Sequence, residues 1–137
     1  MSATQRFFIA GRLPGMNELR EAAGWTAPGK GKRWNRYAQL KRDHTEDIVL
    51  QLRCAKVVPP TGPVWIGFEH VEPNAKRDPD NVNAGARKLI VDAMVKAGIL
   101  KGDGQKFIAG FGPERVVVDR DPTHAGTFVT IGSDING

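Results

Sequence analysis

One helical pattern organises the middle of this 137-residue chain. Apolar side chains recur every three or four residues from Leu89 to Ala97, which predicts an amphipathic helix from about Asn83 to Ala97. Gly98 follows as the expected C-terminal stop. Val91 and Val95 lie off the main apolar stripe, so the helix needs a second cover. We expect a second subunit to supply it, with a loop of the same chain as the alternative.

The segments on either side of this helix complete an α+β pattern. Apolar alternation predicts strands at 6–13 and from 64 to about 72, a bent or bulged strand or two short strands at 107–120, and a last strand at 126–131. A long amphipathic helix is predicted at 34–56. The order β-α-β-α-β-β predicts one small α+β domain over residues 1–137, with a mixed sheet of about four strands and two main helices packed against it.

Basic residues are concentrated in the first part of the chain. The 20 Lys and Arg residues exceed the 15 Asp and Glu residues, and residues 1–56 carry 11 of the former and 5 of the latter. This distribution is compatible with a polyanionic partner or with an ordinary solvated surface. The glycine-rich stretch at 28–33 contains Lys30, Lys32 and Arg33 and predicts a flexible basic loop, which is either surface or an arm that contacts phosphates.

Cysteine content and hydropathy indicate the cellular setting. The single cysteine, Cys54, excludes an internal disulfide and gives no sign of a zinc cluster, which favours a reducing compartment. Its place on the predicted helix makes it an expected core residue. The apolar run at 7–10 is too short for a signal peptide, and no segment is long and apolar enough to span a membrane. We therefore expect a cytoplasmic protein without a membrane partner.

Three acids stand at the two ends of the central helix. Asp78 and Asp80 precede it, and Asp103 follows it in a Gly-Asp-Gly turn. Residues i and i+2 of an extended segment share a face, so Asp78 and Asp80 can point the same way. Neighbouring carboxylates repel each other unless a cation lies between them, and Mg²⁺ accepts one or two carboxylates together with waters and phosphate oxygens. The alternative is structural, with Asp78 in a turn and Asp80 or Asn81 as the helix cap.

Basic residues flank these acids. Lys76 and Arg77 precede Asp78, and Arg87 and Lys88 lie within the predicted helix. Cationic side chains of this kind donate charge-assisted hydrogen bonds to phosphate oxygens. Acids that bind Mg²⁺ beside cations that bind phosphate favour the hydrolysis of a phosphodiester bond.

This combination of motifs resembles the RusA family of Holliday-junction resolvases. The matching motifs are Lys-Arg-Asp-Pro-Asp-Asn at 76–81, a helix that ends in Lys-Ala-Gly, and Gly-Asp-Gly-Gln at 102–105. Asn17, in Pro-Gly-Met-Asn, is similar to the asparagine of the family's first loop. The specific motifs occupy residues 76–105, whereas the order of elements matches across most of the chain.

The resemblance implies a RusA-like fold and a Mg²⁺-dependent dimeric endonuclease that nicks four-way DNA junctions symmetrically during DNA recombination and repair. Mn²⁺ is expected to substitute for Mg²⁺. Carried over by position, the metal-binding carboxylates are Asp78, Asp80 and Asp103. The family often has a lysine four residues after the second aspartate, and here that position is Ala84. Lys88, counted back from the end of the helix, aligns with that lysine instead, and Arg87 is the neighbouring candidate.

Chain geometry indicates how the three acids could meet. About 15 helical residues span roughly 22 Å, and the six residues from Gly98 to Asp103 reach back at most about 20 Å. A two-fold dimer with antiparallel helices would bring Asp103 of one subunit to Asp78 and Asp80 of the other, so we expect composite active sites in a homodimer. Two alternatives stay open: a nuclease that acts on other branched DNA, such as flaps or forks, and a non-catalytic DNA-binding accessory protein.

Overall fold

A computed structural model describes residues 4–23 and 31–133 of the chain, with side chains at 4–21 and 38–133. The elements in chain order are β1 (Gln5–Ala10), α1 (Met16–Ala23), α2 (Gly31–Cys54), β2 (Val64–Glu72), α3 (Pro79–Lys96), β3 (Ile108–Val118), a 3₁₀ turn (Pro122–His124) and β4 (Gly126–Gly132). This described part is a small α+β domain with a four-stranded mixed sheet and three α-helices, as the hydrophobic patterns predict for the sheet and for the two longer helices.

The sheet has the strand order β1-β4-β2-β3. Strand β4 runs antiparallel to both of its neighbours, whereas β2 and β3 are parallel and are connected through α3. The pairing of β3 with β2 shifts register twice, between Val64 and Trp65 and between Ile66 and Phe68. The interrupted pattern at 107–120 is therefore one irregular strand, which was one of the two predicted outcomes.

Apolar side chains from the sheet and the helices form one core. Its largest fully buried apolar members are Ile9, Ile48, Leu52, Ile66, Leu89, Ile90, Met94, Val129 and Ile131. Each such side chain favours folding by about 1.5–3 kcal/mol relative to an exposed position. Because α2 and α3 supply five of these nine residues, the helices and the sheet depend on each other for their burial.

Helix α3 is covered within the same chain. Val91 is 6% exposed and Val95 is half-buried against the core. Helix α2 packs on this side of α3, and Lys41 Nζ of α2 forms an ion pair with Asp92 Oδ2 of α3 at 3.2 Å. Val91 is thus buried within the chain itself, so its burial gives no reason to expect a second subunit on this side. The predicted stop is confirmed: Gly98 has a φ of +80°, and Ile99 N donates to Met94 O at 2.9 Å.

Three local predictions differ from the structure. Asn17 lies in α1, an eight-residue helix, rather than in a loop. Lys32 and Arg33 lie in the first turn of α2 rather than in a flexible loop, and Lys30 falls outside the described residues. Cys54, expected in the core, is exposed at the end of α2. Within the described ranges, no helix combines the length and apolar character that crossing a membrane requires.

Candidate active site

Asp78 is the N-cap of α3. Its backbone is extended, with φ −73° and ψ 154°, and its Oδ1 accepts a hydrogen bond from Asn81 N at 2.8 Å. Pro79 follows at the first helical position. A backbone N–H there would have no acceptor within the helix, so proline loses no helical hydrogen bond. The cap is therefore Asp78, and the expectation that Asp80 or Asn81 serves this purpose is wrong.

Asp78 and Asp80 both lie at the exposed N-terminal end of α3, Asp78 as the cap and Asp80 in the first turn. Because Asp80 is helical, the expectation that the two side chains share a face of an extended segment does not hold. Both residues are exposed, and Asp80 forms no side-chain hydrogen bond or ion pair with the rest of the described chain. The positive end of the helix stabilises their negative charge. One oxygen of Asp78 is occupied by the cap, and the other has no described partner. Two carboxylates fit the small number of protein ligands that Mg²⁺ takes when it also binds waters and phosphate.

Asp103 lies at the opposite end of α3. It is exposed and lines a cleft of about 690 Å³ between α2 and the last turns of α3. Lys41, Arg42 and Lys96 also line this cleft, together with Asp92, the partner of Lys41. The 18 residues of α3 span about 27 Å. Accordingly, among the residues that the structure describes, no three His, Cys, Asp or Glu side chains converge on one metal position.

The basic residues predicted to bind DNA fall into two groups. Arg77 and Arg87 are engaged within the chain: Arg77 forms ion pairs that are described below, and Arg87 Nη1 lies 2.8 Å from Glu114 Oε1. The Arg87 guanidinium also lies 4.8 Å from the centre of the Phe111 ring. Lys76 and Lys88 are exposed, and neither side chain has an ionic partner in the described part of the molecule. The exposed lysines are therefore the better phosphate donors of the four. The side chains of Lys30, Lys32 and Arg33 lie outside the described set.

A buried ion-pair network lies immediately behind Asp78. Glu72, whose side chain is 4% exposed, accepts hydrogen bonds from Arg77 Nε and Nη2 at 2.8 and 2.7 Å and from Arg12 Nη2 at 3.1 Å. Burial raises the pKa of Glu72, but the hydrogen bonds from Arg77 and Arg12 outweigh burial and hold the pKa below its usual value. Burial lowers the pKa of Arg77, and Glu72 and Glu18 more than restore it. Arg77 is the member of this network that was among the predicted site residues, there as a phosphate contact, whereas Glu72 and Arg12 were not predicted.

A buried histidine lies beside the same network. His70 is 2% exposed, and its Nδ1 lies 2.9 Å from Thr127 Oγ1. Burial lowers the pKa of His70 to about 4, so the imidazole is neutral near neutral pH. His70 also borders a cavity of about 10 Å³ that Glu72 and Arg77 line.

The segment before α1 packs against the first turns of α3. Asn17 N donates to Asn81 Oδ1 at 2.6 Å, and Asn81 is 8% exposed. Gly85 lies so close to this segment that a Cβ atom there would sit 2.6 Å from Met16 N and in equally close contact with the Gly15 backbone. Asn17, the residue that resembles the family's first-loop asparagine, therefore lies beside the acid-bearing end of α3.

A scan against protein-family models found no match, and a search of the curated proteins found no significant match either.

Proposed function

We propose that this chain is a Mg²⁺-dependent, structure-specific endodeoxyribonuclease, similar to the RusA family, that resolves Holliday junctions by paired symmetric nicks. It would hydrolyse phosphodiester bonds of four-way DNA junctions in recombination and repair, in the cytoplasm. The observation that carries the proposal is that Asp78 and Asp80 are both exposed at the capped N-terminal end of α3. Exposed Lys76 precedes them, and exposed Lys88 follows on the same helix.

Each residue of this site has a defined task under the proposal. Asp78 and Asp80 would hold Mg²⁺ through the oxygens that the helix cap does not use. Bound Mg²⁺ would supply charge stabilisation at the phosphate and would increase the acidity of a water molecule. Lys88 would neutralise the scissile phosphate, because its side chain is exposed whereas that of Arg87 is paired with Glu114. Lys76 would contact a neighbouring phosphate of the same strand.

The position of Asp103 supports a composite site in a homodimer. Asp103 and the Asp78–Asp80 pair lie at opposite ends of α3, so one chain does not unite them. An antiparallel arrangement of two α3 helices about a two-fold axis would place Asp103 of one subunit beside the Asp78–Asp80 pair of the other. Lys41 and Lys96, which line the cleft at Asp103, would then face these acids and the DNA phosphate. Two such sites suit two symmetry-related cuts.

A second candidate is a non-catalytic DNA-binding accessory protein. The observation that favours it is the cap itself, because the hydrogen bond between Asp78 Oδ1 and Asn81 N explains an aspartate at position 78 without any metal. A nuclease that acts on flaps or forks would use the same acids as a junction resolvase, so the substrate must be determined directly.

The experiment is cleavage of a synthetic four-way junction, with flap, fork and linear duplex substrates beside it, with and without Mg²⁺ or Mn²⁺. We expect paired nicks in the junction with either metal and none without metal. Asp78→Asn retains a good helix cap but weakens metal binding, so we expect cleavage to fall by more than about a hundredfold without loss of folding.

Asp121→Asn is the matched control. Asp121 is an exposed aspartate that caps the 3₁₀ turn by accepting from Thr123 N at 2.9 Å, and the substitution should leave cleavage unchanged. Wild-type protein that binds the junction but cuts no branched DNA would favour the accessory protein. Full cleavage by Asp78→Asn would remove Asp78 from the metal site.

A further inference from the structure

Arg77 uses its guanidinium group entirely within the chain. Nε and Nη2 donate to the two carboxylate oxygens of Glu72 at 2.8 and 2.7 Å, which is a bidentate pair. Nη1 donates to Glu18 Oε1 at 2.7 Å, and Nη2 also donates to Leu13 O at 3.0 Å. The side chain is only 10% exposed. All three guanidinium nitrogens therefore have acceptors, and a DNA phosphate could bind Arg77 only by displacing them.

Displacing Arg77 would leave a buried carboxylate with less compensation. The Glu72 side chain is 4% exposed, and its remaining cation is Arg12, whose three contacts with Glu72 are longer, at 3.1 to 3.4 Å. A buried charge that loses a hydrogen-bonded partner is strongly destabilised. The Arg77–Glu72 pair is therefore part of the folded structure, and the Arg77 guanidinium group is not available to bind DNA.

The four hydrogen bonds of Arg77 connect three separate parts of the chain. Glu72 is the last residue of β2, Glu18 lies in α1, and Leu13 lies between β1 and α1. The residue that follows Arg77 is Asp78, whose backbone is extended and whose side chain caps α3. The position and direction of the chain as it enters the metal-binding segment are thus set by where the Arg77 side chain is held.

We propose that Arg77 is a positioning residue for Asp78 and Asp80 and does not contact DNA. The proposal rests on the proposed function, since it assigns these two acids to the metal site. It differs from the expectation from sequence that Arg77 binds DNA alongside Lys76. Lys76 has the opposite properties: it is exposed, and only its backbone N–H, which donates to Asn74 Oδ1 at 3.0 Å, is bonded in the described structure.

Two substitutions at position 77 separate positioning from phosphate contact. Arg77→Lys keeps a positive charge, which also compensates Glu72, but one ammonium group cannot reproduce the bidentate pair together with the contacts to Glu18 and Leu13. Arg77→Met removes the charge. Lys76→Met is the matched control, because it removes the neighbouring exposed charge and leaves the network intact.

Three measurements are made on each full-length variant. The first is the chemical shift and exchange rate of the Asn81 amide, which donates to Asp78 Oδ1, compared with amides of β4. The second is the Mg²⁺ concentration that gives half-maximal junction cleavage. The third is the slope of log binding constant against log salt for the junction in Ca²⁺, without cleavage. A residue that contacts one phosphate contributes about one unit to this slope.

If Arg77 is a positioning residue, Arg77→Lys will shift the Asn81 amide and accelerate its exchange more than that of β4 amides. The half-maximal Mg²⁺ concentration will rise by about tenfold to a hundredfold, as for other groups that orient metal ligands. The salt slope will stay unchanged in both Arg77 variants and will decrease in Lys76→Met.

Two results would overturn the proposal. One is a normal Asn81 amide with a salt slope that falls by about one unit in Arg77→Met, which would make Arg77 a phosphate contact. The other is equal acceleration of exchange throughout β4 and α3, which would make Arg77 a residue of general stability only. If the wild-type protein cuts no DNA, the proposed function fails, but the Asn81 amide still decides whether Arg77 positions Asp78.

Discussion

The two ends of α3 differ in how firmly the rest of the chain holds them. At the N-terminal end, Arg77 is bonded to β2 and α1, Asn81 accepts a hydrogen bond from Asn17, and Gly85 lies against the Gly15 backbone. Buried and hydrogen-bonded side chains have few alternative positions. The acids at this end are therefore presented by a rigid support.

The C-terminal end is open by comparison. Asp103 is exposed in a turn between α3 and β3, and it borders a cleft of about 690 Å³. The ion pair that crosses from α2 to α3 near this cleft joins Lys41 and Asp92, whose side chains are 37% and 29% exposed. Exposed pairs of this kind contribute at most about 1 kcal/mol. This end has a wide cleft, whereas the buried network behind the N-terminal end borders a cavity of only about 10 Å³.

If the proposed homodimer forms, the two ends of α3 would contribute to different active sites. Under the proposed function, the rigid end contributes Asp78 and Asp80 to one site, and the open end contributes Asp103 to the site of the partner. A composite site needs one surface that keeps its shape and another that can receive it. The predictions below test this contrast between the two ends.

The largest expected effect is the recovery of activity by mixing two inactive variants. Asp78→Asn and Asp103→Asn should each lose more than about a hundredfold in cleavage. After the two proteins are unfolded and refolded together, half of the dimers are mixed. Each mixed dimer has one site with all acids intact if the sites are composite. About one quarter of the wild-type sites should then be active, and the products should be single nicks rather than paired cuts.

The matched control for mixing is Asp78→Asn with Asp80→Asn. Both substitutions affect the same end of α3, so neither composite site of a mixed dimer is intact and no recovery is expected. Nicking of an end-labelled four-way junction measures the outcome, and light scattering establishes the dimer. Recovery in neither mixture, with dimers present, would show that Asp103 does not complete the site of the partner subunit.

The second expected effect is a loss of stability in acid that begins at the N-terminal support. His70 has a pKa of about 4 in the folded protein and about 6.5 when unfolded. Between these values the unfolded chain binds a proton and the folded chain does not, so the free energy of unfolding decreases as pH falls from about 6.5 to about 4. The loss from His70 should reach roughly 2–4 kcal/mol. The lowered pKa of Glu72 adds a further loss only at pH values below the usual carboxyl range.

Urea unfolding of wild type and His70→Gln over this pH range measures the effect. The free energy of unfolding of the variant should change much less with pH than that of wild type, whatever its absolute value. His124→Gln is the control, because the pKa of His124 is shifted in the opposite direction. Hydrogen bonding to Asp119 raises this pKa, so any stability that His124 adds is lost as pH rises. An unchanged acid slope in His70→Gln would show that the pKa of His70 does not differ between the folded and unfolded states.

The hydrophobic periodicity of the sequence predicted most of the fold, because the spacing of apolar residues shows which face of each helix or strand is buried. The strands, α3 and its stop at Gly98 follow directly from such patterns. Helix α1 was missed because it has only eight residues, of which Leu19 is fully buried, and it follows Pro14-Gly15, a usual turn signal. Isolated helices of this length are unstable, so packing on α2 and α3 rather than local sequence determines α1.

The site was predicted less completely than the fold because its supporting contacts join distant residues. The sequence placed Asp78 and Asp80 before a helix, whereas the structure has Asp78 as its cap and Asp80 in its first turn. The predicted cap was two or three positions too late, within the usual uncertainty of helix ends. The sequence also does not identify the partner of Arg77, because nothing local marks Glu18 as that partner. The two residues are 59 positions apart, and only the folded chain brings them together.

The smallest expected effect tests the close contact that makes the N-terminal end rigid. In Gly85→Ala, the new methyl group would meet the backbone of Gly15 and Met16, which cannot move aside as a side chain could. We expect a loss of about 1–3 kcal/mol in the free energy of unfolding, which exceeds the helix propensity that alanine gains over glycine. Gly62→Ala is the control, since no atom lies within 4 Å of the added Cβ. Urea unfolding measures both variants. If Gly85→Ala is as stable as wild type, the segment before α1 is not tightly packed on α3, and the two ends of the helix differ less than proposed.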